Sequence, residues 1–202
     1  MNAIADLKAD SLRTLFIYIV PGAIALLPWC CFFLHEVHAA TTYMSSDSHQ
    51  SVVVIVLLVA CLTTGKFLDG LGTYWEVHVN DARLAKGEFP NFAEDWSRYI
   101  RTAFVHAPVA VDYINNLTQT LKFELNLGFA FLVFAIGQVP LAYVLKHYSS
   151  CQATWVVLGA LAAAVVSFAS SCGTSRVLAS VRKWLRDGVI VDGELAARDD
   201  AG

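Results

Sequence analysis

The sequence predicts an all-α polytopic membrane protein, a bundle of four transmembrane helices with a helical cytoplasmic loop. Three observations predict it. Of the 202 residues 56% are hydrophobic and only 15% charged, against about 25% charged in an ordinary soluble domain. The charges gather in three stretches and nearly vanish between them, as expected of segments dissolved in lipid, where an ionised group is costly. Four apolar runs are each about 20 residues long, enough helix to cross a hydrocarbon core of about 30 Å.

The first run spans residues 14–34, after a cytoplasmic tail of residues 1–13, and contains no charge. It is far longer than the 7–15 apolar residues of a secretory signal core, and the region before it is charge-neutral, so a span is expected here rather than a leader. Pro21-Gly22 and Pro28 lie within it. Proline is tolerated in membrane helices because neighbouring groups re-satisfy the released carbonyl, and the usual result is a packing kink. Residues 35–51 form a short polar outer loop, and the second span covers 52–72, opening with SVVVIVLLVACL.

Residues 73–124 are a cytoplasmic loop of mixed composition. GEFPNF (Gly87 to Phe92) reads as a turn, followed by an expected helix from Asp95 to Phe104 and another that begins near Pro108 and runs into the third span. Trp75, Trp96 and Tyr99 suit the headgroup level. The third span covers 125–145, a second outer loop 146–152 and the fourth span 153–172. The cytoplasmic tail is 173–202.

Orientation follows from lysine and arginine, which stay on the cytoplasmic side. Twelve of them fall in the N-terminal tail, the middle loop and the C-terminal tail, against Lys146 alone in the two outer loops. Both termini are therefore expected in the cytoplasm and the protein in the inner membrane. Net charge is −3, which gives no reason to expect a nucleic-acid partner.

The segment Gly65 to Arg83, GKFLDGLGTYWEVHVNDAR, concentrates the polar chemistry. With Asp69 at zero on a wheel of about 100° per residue, Asn80 falls near about +20°, Thr73 about +40° and Lys66 about +60°. On the same wheel Glu76 falls near about −20° and Arg83 about −40°, while His78 points about opposite. Ionisable residues in hydrocarbon normally face a bundle interior or a wet cavity and pair with one another. Lys66 and Asp69 are three apart and can do so; Glu124 and Asn126, entering the third span, lie at a matching depth. The stripe is either an ion-pair cluster that fixes helix register, with Lys66 snorkelling outward, or a functional polar path or site.

Two further features concern packing and the surface. Gly159, Ala163, Ser167 and Ser171 form a row of small residues four apart, which permits close helix–helix approach within the chain or with another copy. After the fourth span, Arg176, Arg182, Lys183, Trp184 and Arg186 belong to a basic amphipathic segment expected to lie on anionic headgroups.

No motif names a reaction, and no catalytic, metal or cofactor residues are assigned. Gly65-Lys66 lacks the upstream glycine and the following Ser or Thr of a phosphate loop, and no nucleophile elbow occurs. Cys30, Cys31, Cys61, Cys151 and Cys172 are odd in number, lack metal-ligand spacing and read as small apolar residues. His35, His38, His49 and His147 all map to the outer side and read as ordinary surface histidines, with a metal site or pH sensor as the alternative.

In general organisation the chain resembles the small four-span bacterial membrane proteins that act with a soluble partner, among them membrane subunits of phage-defence and stress-response systems. That resemblance lies in architecture alone. Three functions are carried forward. The first is a non-enzymatic membrane subunit that self-associates and offers its loop and tail to a cytoplasmic protein, with membrane lipids around it. The second is a pore lined by the Lys66–Arg83 stripe from several copies. The third is an enzyme acting on a lipid-linked substrate through Asp69, Glu76, Asp81 or His78.

Overall fold

The computed structural model describes residues 3–36, 47–87, 108–144 and 150–199. All of the described secondary structure is helical, and four of the helices are long and apolar enough to cross a membrane. In chain order they are α1 (Ala3–Glu36), α2 (Asp47–Trp75), a π-helical turn (Glu76–Asp81), α3 (Ala82–Lys86), α4 (Pro108–Val144) and α5 (Ser150–Asp199). The expected helix Asp95 to Phe104, most of the GEFPNF turn, and Trp96 and Tyr99 lie outside the described residues.

Local sequence explains several of these boundaries. Pro108 opens α4 at the position where its missing N–H costs nothing and its fixed φ suits a helix. Gly87 ends α3, its N–H donating to the Leu84 carbonyl at 3.2 Å. At about 1.5 Å per residue the 50 residues of α5 amount to about 75 Å of helix. What the sequence suggests as a span and a separate amphipathic tail is therefore one continuous element.

By packing, the chain divides into two compact units, Met1–Thr73 with Lys122–Ser170, and Tyr74–Leu121 with Ser171–Gly202. In the first unit, Ala25 of α1, Leu68 of α2 and Ala130 of α4 form an apolar cluster, with Ile24, Leu71, Phe129 and Val133 packed against it. Phe129 also meets Phe168 of α5 edge to face at 5.1 Å. Pro21 and Pro28 are both fully buried, and α1 runs through them without a break.

The closest approach in the first unit is between α1 and α2. A β-carbon on Gly22 would lie 1.9 Å from the Cys61 carbonyl oxygen, and one on Gly65 would lie 2.0 Å from the Tyr18 carbonyl oxygen. Two glycines, one on each helix, thus let the two backbones touch at successive turns. Gly137 of α4 makes a similar approach to Pro28 and Trp29.

Packing is uneven along α2 and α5. From Ser51 to Val59 every residue is exposed except half-buried Val53, although eight of these nine are Val, Ile or Leu. Residues 151–159 of α5 likewise include no buried side chain. By contrast Gly137, Gln138 and Leu141 of α4 are buried. In the second unit, Leu84 of α3 packs against Ala179 of α5.

Candidate functional site

The polar residues of the first unit converge where α2 faces α4. Asp69 is 5% exposed. Lys66, one helical turn before it, donates from Nζ to Asp69 Oδ2 at 2.8 Å. Lys66 itself is mostly exposed; its ammonium also donates to the Tyr18 hydroxyl at 3.5 Å and sits 5.0 Å above that ring. Lys122 of α4 brings a second ammonium to 4.0 Å from Asp69 Oδ1. One buried carboxylate thus lies between two cations.

Beside this pair, Asn126 is fully buried. It packs against Gly72, where an added β-carbon would lie 2.9 Å from Asn126 Oδ1. Neither polar atom of the Asn126 amide has a hydrogen-bond partner in the protein, and neither does Asp69 Oδ1. Glu124, half-buried, accepts a hydrogen bond from the Ser170 hydroxyl at 2.5 Å. Residues of α2, α4 and α5 therefore contribute to this polar region of the first unit.

The stripe residues from Glu76 onward belong to the second unit and have different surroundings. Asn80 is buried, and its Oδ1 accepts from the Cys172 thiol at 3.5 Å. Asp81 lies within electrostatic reach of Glu76 and of Arg182, and Arg182 is itself buried. Thr73 and Arg83 are exposed and Glu76 is half-buried. His78 is exposed, stacked on Tyr74 with ring centroids 4.1 Å apart.

The uniform wheel does not survive the chain's own geometry. Residues Glu76 to Asp81 form a π-helical turn, whose wider hydrogen-bonded loop changes the angle per residue. A wheel drawn at one fixed angle from Lys66 to Arg83 therefore cannot assign faces beyond Trp75. Of the eight residues proposed from sequence, Asp69, Asn80 and Asn126 are buried, while Lys66, Thr73 and Arg83 are exposed.

Sequence reasoning missed Lys122 and Ser170 as partners in the first unit, and Cys172 and Arg182 in the second. Lys122 had a readable signal, lying four residues before Asn126 and so on the same helical face. Ser170, Cys172 and Arg182 carried none, because their partners lie at least 46 residues away in sequence.

The small-residue row of α5 divides in two. Ser167 and Ser171 are buried within the chain, with Ser167 donating back to the Ala163 carbonyl at 2.9 Å. Gly159, at the other end, has nothing within 4 Å of where a β-carbon would be. In the tail, Arg176, Lys183 and Trp184 are exposed, whereas Arg182 is buried and turned away from the surface on which sequence placed it. The Arg186 side chain lies outside the described residues, as do those of His35, His38, His49 and His147.

All five cysteines are free thiols. Compared with protein-family models, with curated proteins and with solved structures, the chain matches none.

Proposed function

We propose that this chain is a multi-pass inner-membrane subunit without catalytic activity of its own, which self-associates through the outer halves of α2 and α5. Its spans are residues 14–34, 52–72, 125–145 and 153–172, with both termini and the middle loop cytoplasmic, where they offer a surface to a soluble partner. The orientation rests on the twelve-to-one partition of lysine and arginine.

The observation that carries self-association is the bareness of those two half-helices. Of residues 51–59 all but half-buried Val53 are exposed, around the helix and not along one stripe. A span whose neighbours all belong to its own chain would bury one face. Lipid gives little hydrophobic drive for helices to associate, so close packing is what holds them, and small residues permit it. Gly159 provides such a place, open to an approaching backbone.

The test is the native mass of the purified protein in mild detergent, with co-purifying chains identified. A species larger than the monomer is expected. Replacement of Gly159 by leucine should shift the mass to the monomer while the helical content stays unchanged. A monodisperse wild-type monomer with no partner would end the proposal.

The pore reading draws less support. Asp69 and Asn80, the residues it would present to a path between copies, are directed into their own chain.

A further inference from the structure

Three buried polar atoms between α2 and α4 have no hydrogen-bond partner in the protein: Asp69 Oδ1, Asn126 Oδ1 and Asn126 Nδ2. They lie close together. Asp69 and Gly72 are three apart on α2, and Asn126 Oδ1 lies against Gly72, so the amide is within about one turn of the carboxylate. Lys122 is four before Asn126 on α4, and its ammonium stops 4.0 Å from Asp69 Oδ1, beyond direct hydrogen-bond range.

Buried polar groups are almost always paired, so a cluster of three unpaired atoms points to an occupant. Its chemistry follows from the groups around it. Asp69 Oδ1 and Asn126 Oδ1 need a donor; Asn126 Nδ2 and the Lys122 ammonium need an acceptor. A metal or ammonium cation would answer only the two oxygens and would face two lysines, Lys66 and Lys122. An anion would answer only the nitrogens and would face the Asp69 carboxylate, with Glu124 nearby on α4. A small neutral molecule that donates and accepts answers all four. Asp69 and Asn126 are almost completely enclosed, and a water making about three bonds to such groups is the usual solution in protein interiors.

We infer that Asp69, Lys122 and Asn126 hold internal water between α2 and α4, one molecule or a bridged pair. Gly72 makes room for the amide that forms one wall. The site couples the two helices through hydrogen bonds that exist only when water is present. It is independent of whether the chain self-associates.

Water-edited solid-state NMR on the asparagine-labelled full chain in lipid bilayers tests this directly. The Asn126 side-chain amide is identified as the resonance lost in Asn126→Leu, or in Asn126→Ser if the leucine variant does not accumulate. Magnetisation from water should reach it several-fold faster than it reaches the buried backbone amide of Ala130, one turn further along α4. Asp69→Asn, which reverses part of the donor pattern, should slow that transfer.

Thermal unfolding in mild detergent gives a second readout. With water bridging the groups, Asn126→Leu should lower the midpoint, and its effect should shrink in an Asp69→Asn background. Transfer no faster than at Ala130, or a midpoint raised by Asn126→Leu, would overturn the inference. A shift of the Asn126 resonance on adding sodium or potassium would overturn it in favour of a bound cation.

Discussion

Gly22 of α1 and Gly65 of α2 are reciprocal contacts: each lies against a backbone carbonyl of the other helix, at Cys61 and at Tyr18. The four residues lie one helical turn apart on their helices, so one close approach is used twice. A β-carbon at either glycine would meet a carbonyl oxygen at about half the ordinary contact distance, and backbone cannot step aside as a flexible side chain can.

Gly22→Ala and Gly65→Ala should therefore each destabilise the chain by about 1–3 kcal/mol, the usual cost of overpacking. Gly70→Ala, on the same helix as Gly65 but with nothing within 4 Å, should be neutral or stabilising by about 0.5–1 kcal/mol. Thermal unfolding of the three variants in one detergent checks the contrast. Equal midpoints for all three would show that the crossing is looser than described.

The Lys66–Asp69 pair should be asymmetric. Lys66 is 68% exposed while the Asp69 side chain is 7% exposed. Lys66→Met removes a solvated partner and should cost no more than about 1 kcal/mol, in the range of surface pairs. Lys122→Met should have a comparable or larger effect, although its ammonium is further from the carboxylate, because Lys122 is the more enclosed of the two lysines. Midpoint shifts for the two single variants and the double variant measure this. A Lys66 effect several times that of Lys122 would contradict it.

Arg182 and Lys183 are sequence neighbours with opposite expectations. Arg182 is buried and within electrostatic reach of Asp81, whereas Lys183 is exposed. Arg182→Ala should destabilise by about 3 kcal/mol, as loss of one partner in a buried charge cluster does, and Asp81→Asn should recover part of that loss. Lys183→Ala should stay within about 0.5 kcal/mol of wild type, as surface substitutions do. The check is a double-mutant cycle followed by unfolding.

The Cys172 thiol and Asn80 amide offer a milder test. Cys172→Ser keeps a donor and strengthens it, so the folded protein should be retained. Cys172→Val should cost about 1–3 kcal/mol by leaving the buried Asn80 oxygen without its donor. A valine variant as stable as wild type would show that the 3.5 Å contact contributes nothing.

Single cysteines in a chain otherwise free of them test the proposed topology. A cysteine at Lys146 should react with an impermeant thiol reagent in intact cells, and one at Lys86 or Lys183 only after permeabilisation. The reverse pattern would invert the orientation.

The sequence by itself determined that the chain is helical and that four helices are long and apolar enough to span a bilayer, because composition, run length and proline position are local properties. Pro108 marked the start of α4, and the close spacing of Lys66 and Asp69 was sufficient for their ion pair. Only the tertiary structure decided which polar residues turn inward. The π-helical turn at Glu76 to Asp81 breaks any fixed angular wheel, so Asn80 and Arg83 could not be placed by counting from Asp69. It also decided that Gly22 and Gly65 are contact points and Gly70 is not, that Ser167 is spent inside the chain while Gly159 stays open, and that Arg182 leaves the surface to which its neighbours belong. The physical reason is the same in each case. Periodicity specifies the face of a helix, but burial depends on what the rest of the chain brings to that face, and those partners are distant in sequence.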